Sequence, residues 1–157
     1  MKKLEKEKKR QAYELLLAQQ KGLLEAETNW IASLSNSSAL LNETFADTVF
    51  AGYYLFEEGE LILGPFQGRV SCTRIKLGKG VCGESAEKQV TLIVDNVKEH
   101  ENYISCDSAA MSEIVVPMVK DGQLIGVLDI DSSQTHSYDE IDHEFLEKYV
   151  ALMLSIK

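Results

Sequence analysis

The chain has 157 residues, 45% of them hydrophobic and 26% charged, with 25 acidic against 16 basic side chains. A chain of that size buries roughly 70% of its unfolded surface, so a single domain over residues 1–157 (a helix over 1–27 and a core over 28–157) needs no disulfide or metal to hold it. Met1–Arg10 carries six basic and two acidic residues, which leaves a balance of −13 in the remainder. That excludes a nucleic-acid-binding body, because phosphate contacts need clustered Lys and Arg. The basic tip reads as a charged, frayed helix start.

No run approaches the roughly 20 apolar residues of a membrane span, and the N-terminus has no signal-peptide core, so a cytoplasmic chain is expected. Three cysteines, an odd number in a reducing compartment, are not a disulfide framework. Cys72, Cys82 and Cys106 also lack paired C-x-x-C knuckles, so no zinc site is predicted.

In chain order, Glu5–Ala26 has one Gly and no Pro and predicts a helix. A second helix is predicted over Asn29–Leu41 with Trp30, Ile31, Leu34 and Leu41 inward. Val49–Phe56 predicts a strand that turns at Glu57–Glu60 and returns over Leu61–Leu63, where Gly64-Pro65 limits it. Val70–Leu77 alternates as a further strand carrying Cys72, Gly78-Lys79-Gly80 breaks it, and Val81–Lys88 reads as a short helix. Thr91–Val94 is a buried strand. Two more strands meet at Lys120-Asp121-Gly122, and the last helix starts at Ser137 with Glu140 as a capping box. Its apolar face is Ile141, Phe145, Tyr149, Leu152 and Ile156. Helices followed by strands followed by a helix predict an α+β domain with one antiparallel sheet. The apolar faces of the terminal helices permit a homodimer.

Three features carry chemistry. Asp129 and Asp131 share a strand face about 7 Å apart. A three-residue loop at Lys120-Asp121-Gly122 sets Glu113 opposite Asp129, whereas a two-residue loop sets it opposite Ile130 on the other face. The three-residue loop is the expected register, since it gathers three acids. Converging carboxyls repel, so at least one is expected to stay protonated near neutrality and able to give a proton to a substrate oxygen. A divalent-cation site or exposed strand-end acids are the alternatives. Cys82 falls at a helix start, where the dipole favours a thiolate. Cys106 lies in the small-residue loop Tyr103–Glu113, beside Asp107, which gives its thiolate no help. Three thiols near carboxyls suggest redox chemistry in which one cysteine attacks and another resolves, and spacing does not assign the roles.

The motifs Leu63-Gly64-Pro65-Phe66-Gln67-Gly68, Cys72-Thr73-Arg74-Ile75, Gly78-Lys79-Gly80-Val81-Cys82-Gly83, Ser105-Cys106-Asp107, Ser112-Glu113-Ile114-Val115-Val116-Pro117 and Gly126-Val127-Leu128-Asp129-Ile130-Asp131-Ser132 occur in that order. As a set, covering the chain from about Asn29 onward, they closely resemble the free methionine-(R)-sulfoxide reductases, which are single GAF domains. The resemblance implies a GAF-like fold with the terminal helices on one sheet face and the ligand pocket on the other. It implies reduction of free methionine-(R)-sulfoxide, with Cys106 as nucleophile, Cys72 as resolving thiol and Cys82 as an auxiliary thiol. Glu113, Asp129 and Asp131 match the acids that hold the substrate amine and protonate its oxygen, and Phe50 and Tyr54 wall the pocket. No bound cofactor or metal is implied; thioredoxin, or dithiothreitol in its place, is the implied reductant. One departure stands out: the family's Trp-x-Gly-Phe-Tyr strand reads Phe50-Ala51-Gly52-Tyr53-Tyr54, which loses the indole N–H and predicts weaker substrate binding. The alternative function is a GAF module that senses a small ligand or oxidant without turnover.

Overall fold

The structure is a computed structural model and describes residues 3–157. Two helices, α1 (Lys3–Ala26) and α2 (Trp30–Thr44), precede β1 (Thr48–Glu57), β2 (Glu60–Gly68) and β3 (Arg74–Lys76). Then come α3 (Gly80–Lys88), β4 (Leu92–Val94), a 3-10 turn at Val97–Glu99, β5 (Ser112–Lys120), β6 (Gln123–Ser132) and α4 (Glu140–Leu154). The strands form one six-stranded antiparallel sheet in the order β3-β2-β1-β6-β5-β4. This is the α+β arrangement expected from the order of elements.

Alternation along the strands splits the core in two. Ala51, Tyr53, Ile114, Val116, Leu128 and Ile130 face α1, α2 and α4 and pack with Leu16, Leu34, Phe145 and Tyr149. Phe50, Tyr54, Val115 and Val127 face the other way and pack with Val81, Cys82 and Ala86 of α3. Between the terminal helices, the Ser37 hydroxyl donates to Tyr149 at 2.8 Å and Tyr149 donates to Gln20 at 3.0 Å, so these buried polar groups are satisfied. Among the described residues, no helix is long and apolar enough to cross a membrane.

Several local expectations are corrected. The basic tip, whose first two residues lie outside the described ones, is not frayed: α1 is helical from Lys3, and Lys6, Lys9 and Arg10 pair with Glu140, Asp142 and Glu144 on α4. Ile31 is 54% exposed, while Leu34 and Leu41 are buried. β2 runs through Pro65 to Gly68 because the proline sits at a bulge, where Gly64 and Pro65 together oppose Tyr53 and a residue without an N–H is tolerated. Val70–Thr73 is loop rather than strand, and only Arg74–Lys76 pairs with β2. The cap of α4 is Asp139 with Asp142: Ile141 N–H donates to the Asp139 carboxylate, and Asp139 N–H donates to Asp142 at 2.7 Å. Ser137 instead donates to Ser132 Oγ at 2.7 Å.

The β5–β6 hairpin closes through a two-residue turn, Asp121-Gly122, both with positive φ (52° and 76°). The three-residue loop is therefore wrong, yet the face it was chosen for is right. A bulge between Met118 and Val119 adds the missing residue, so Glu113 lies opposite Asp131 and all three acids share one face. Beside this hairpin, Gly126 allows β1 to come close: a Cβ there would lie 2.2 Å from the Tyr54 carbonyl oxygen. Backbone cannot move aside cheaply, so Gly126→Ala should destabilise the fold by about 1–3 kcal/mol. A denaturant midpoint unchanged from wild type would contradict that close approach.

Candidate active site

The site lies on the α3 side of the sheet, where the centre of the sheet meets two loops. β5 and β6 supply Glu113, Asp129 and Asp131, only 6%, 4% and 9% exposed. The first turn of α3 supplies Cys82, whose thiol is 3.8 Å from Glu113 Oε2. The loop after β2 brings Cys72 and the loop before β5 brings Cys106, and the two form a disulfide with Cα atoms 5.2 Å apart, inside the range such a bond requires. Tyr54, Tyr103, Ile104, Cys106 and the acids enclose a cavity of about 30 Å³. That is space for one or two waters, well short of an amino acid.

Burial, followed by mutual repulsion, controls the charge here. Glu113 is pushed well above the ordinary carboxyl range by burial and then by Asp129; Asp129 by burial and then by Asp131; Asp131 by burial and then by Glu113. One buried oxygen of Asp129 and one of Asp131 have no hydrogen-bond partner. The arrangement can hold a cation at those oxygens and keep a proton on the cluster at neutral pH. The raised values have a sign in stability. The unfolded chain gives up these protons near pH 4 while the folded chain keeps them, so stability falls as pH rises. Between about pH 5 and about pH 7, the thermal midpoint of wild type should drop more than that of Asp129→Asn; parallel drops would remove Asp129 as a strained acid.

Cys82 does not behave as a helix-start thiolate. It is 4% exposed, and burial, followed by Asp129 and Glu113, pushes its thiol well above the usual range. Asp107 beside Cys106 faces Arg69 Nε at 2.8 Å, so the unhelpful charge next to that sulfur is paired.

The GAF domain family matches residues 38–154. The free methionine-R-sulfoxide reductase of Saccharomyces cerevisiae is 42% identical, over 92% of this chain and 85% of that protein; that of Escherichia coli is 43% identical, over 82% and 78%. The chain belongs to the free methionine-R-sulfoxide reductase family. Among solved structures, the Neisseria meningitidis free methionine-R-sulfoxide reductase in complex with its substrate superposes with a TM-score of 0.89 at 40% identity, covering 92% of this chain and 87% of that one. The reduced form of Staphylococcus aureus fRMsr gives 0.88 at 46% identity, covering 92% and 94%.

In this GAF-domain reductase-family chain, Cys82, Cys106, Glu113, Asp129 and Asp131 line one cavity, Cys72 joins it through its bond to Cys106, and Phe50 lies behind Tyr54. Its ring stacks on Phe66 (5.1 Å) and Tyr54 (6.1 Å) and is absent from the cavity wall. Tyr54 lines the cavity with its ring, while its hydroxyl is 2.9 Å from Ser71 Oγ and donates to the Cys72 carbonyl at 3.0 Å, steadying the Cys72 loop. Sequence reasoning missed Tyr103, Ile104 and Asn102. Asn102 donates to the Gly78 carbonyl at 2.9 Å and ties the Cys106 loop to the turn before α3. An isolated polar residue in a loop carries no periodic signal that would expose such a tie.

Proposed function

We propose that the protein reduces free L-methionine-(R)-sulfoxide to methionine with an external thiol reductant. The observation that carries the reading is the Cys72–Cys106 disulfide at the wall of a cavity lined by three buried acids. The substrate ammonium binds the free oxygens of Asp129 and Asp131, and Cys106 thiolate attacks the sulfoxide sulfur. Glu113 protonates the sulfoxide oxygen, that hydroxyl passes to the Cys106 sulfur as the new S–S bond breaks, and methionine leaves with Cys106 as a sulfenic acid. The Cys72 thiol attacks that sulfur, water departs, and the disulfide forms. The substrate's two-electron reduction is thus matched by oxidation of two thiols.

A dithiol protein of the thioredoxin type then restores both cysteines, with dithiothreitol able to replace it. Breaking the bond frees the Val70–Thr73 and Tyr103–Ser108 segments to separate, which makes room for an amino acid. Cys82, enclosed and protonated, is an auxiliary thiol at most. The reading extends to a domain over 1–157, since α1 is tied to α4 by Lys9 and Asp142.

Supplied with dithiothreitol or thioredoxin, the protein should convert the free R sulfoxide to methionine and leave methionine sulfoxide within a folded protein unreduced. Absence of methionine with either reductant sinks the reading and favours a sensor. Comparable turnover of the protein-bound residue sinks the enclosed pocket.

A further inference from the structure

Cys82, Glu113 and Asp129 offer one sulfur and two carboxylate oxygens that all lie within 4.8 Å of one another. They come from α3, β5 and β6, so sheet and helix packing, rather than a mobile loop, hold the three together. The Cys82 sulfur and Glu113 Oε2 are 3.8 Å apart. In a tetrahedral zinc site, with Zn–S of about 2.3 Å and Zn–O of about 2.0 Å, that separation is about 3.5 Å. A shift of a few tenths of an ångström therefore brings this pair to the tetrahedral separation, and the Asp129 oxygen lies within 4.8 Å of both.

Two further observations point to a cation. Asp129 is buried with one oxygen lacking any partner. Among the described residues, no Lys, Arg or His side chain pairs with Glu113, Asp129 or Asp131. The cavity of about 30 Å³ also fits a single ion with one water and not an amino acid.

We propose that Cys82, Glu113 and Asp129 form a site for one thiophilic divalent cation, of the zinc or cadmium class, at the floor of this cavity. The ion binds Cys82 sulfur as thiolate, whose proton leaves to solvent, and one oxygen from each carboxylate; a water completes four-coordination. One sulfur among the donors selects zinc or cadmium over magnesium or calcium, which demand all-oxygen shells. The ion supplies no step of sulfoxide reduction. It takes the carboxylate oxygens that the reductase reading gives to the substrate, so it blocks the site.

The disulfide form leaves Cys82 as the single free thiol, which isolates the test. Cadmium added to oxidised protein should raise a thiolate-to-metal charge-transfer band in the ultraviolet that saturates at one ion per chain and is displaced by zinc. The band should vanish in Cys82→Ser, and its affinity should fall at least about tenfold in Asp129→Asn. No band with cadmium in large excess overturns the site, as does a band of unchanged affinity in a folded Asp129→Asn. If that variant does not fold, zinc X-ray absorption of the oxidised wild type decides. One sulfur at about 2.3 Å with oxygens at about 2.0 Å supports the site, and an all-oxygen shell overturns it. Both readouts are independent of turnover. An active enzyme without them sinks the metal site alone, and a metal-binding protein without turnover sinks the reductase reading alone.

Discussion

Cys106→Ser should lower methionine production from the free R sulfoxide at least about 10³-fold, the scale on which removal of an attacking nucleophile is felt. A hydroxyl is almost fully protonated at neutral pH and far less nucleophilic than a thiolate, and the Cys106 neighbourhood holds no base poised for a serine. Asp107 is taken up by Arg69, and the acid cluster retains protons rather than accepting them. The loss should be the same with dithiothreitol and with thioredoxin, because the first chemical step is gone. Cys72→Ser offers the contrast: it leaves the attack intact, so a sulfenic acid on Cys106 should accumulate and be trapped by a dione reagent. Turnover that persists in Cys106→Ser would move the nucleophile elsewhere.

Glu113→Gln should reduce kcat by about 10²–10⁴-fold, the range of a lost general acid. Glutamine keeps the shape and can donate an N–H, but it has no acidic proton to give to the departing oxygen. Asp129→Asn and Asp131→Asn should act mainly on KM, by roughly 10- to 100-fold each, since a charged hydrogen bond to the ammonium is worth about 1.5–3 kcal/mol. This division is legible in the fold: Glu113 approaches from β5, while both aspartates project from β6. If Glu113→Gln raised KM and spared kcat, the proton would have to come from another group.

Much of the fold was legible because alternation and helix-forming composition are strong over long stretches. The sheet, the helices and the acid face all followed from such patterns. What failed was local and had competing solutions. The hairpin parity survived a wrong turn because the Met118/Val119 bulge compensates for a loop one residue shorter than expected. Pro65 was read as a strand end, although a bulge opposite Tyr53 absorbs it. Ser137 and Asp139 both suit a helix start with an acid three residues on, and Asp139 takes the cap while the Ser137 hydroxyl is taken by Ser132 Oγ. Cys72 lies in the alternating stretch Val70–Leu77 as a strand residue would, but its segment is claimed by the disulfide and by Tyr54. The residues that tie the loops, Asn102 and Arg69, act through contacts that no spacing encodes.

The crosslink also makes folding and turnover thermodynamically inseparable. Cys72 and Cys106 are 34 residues apart, and closing a loop of that length removes denatured-state freedom worth about 4 kcal/mol on the chain-entropy account. The oxidised protein is therefore the sturdier form, and the reduced protein, which must open to take a ligand, is the softer one. By linkage, whatever the bond lends to folding makes it equally harder to break in the folded chain than in the unfolded one. Each cycle thus carries the molecule between a tightened and a relaxed state, and the reductant works against the stability that the preceding oxidation created.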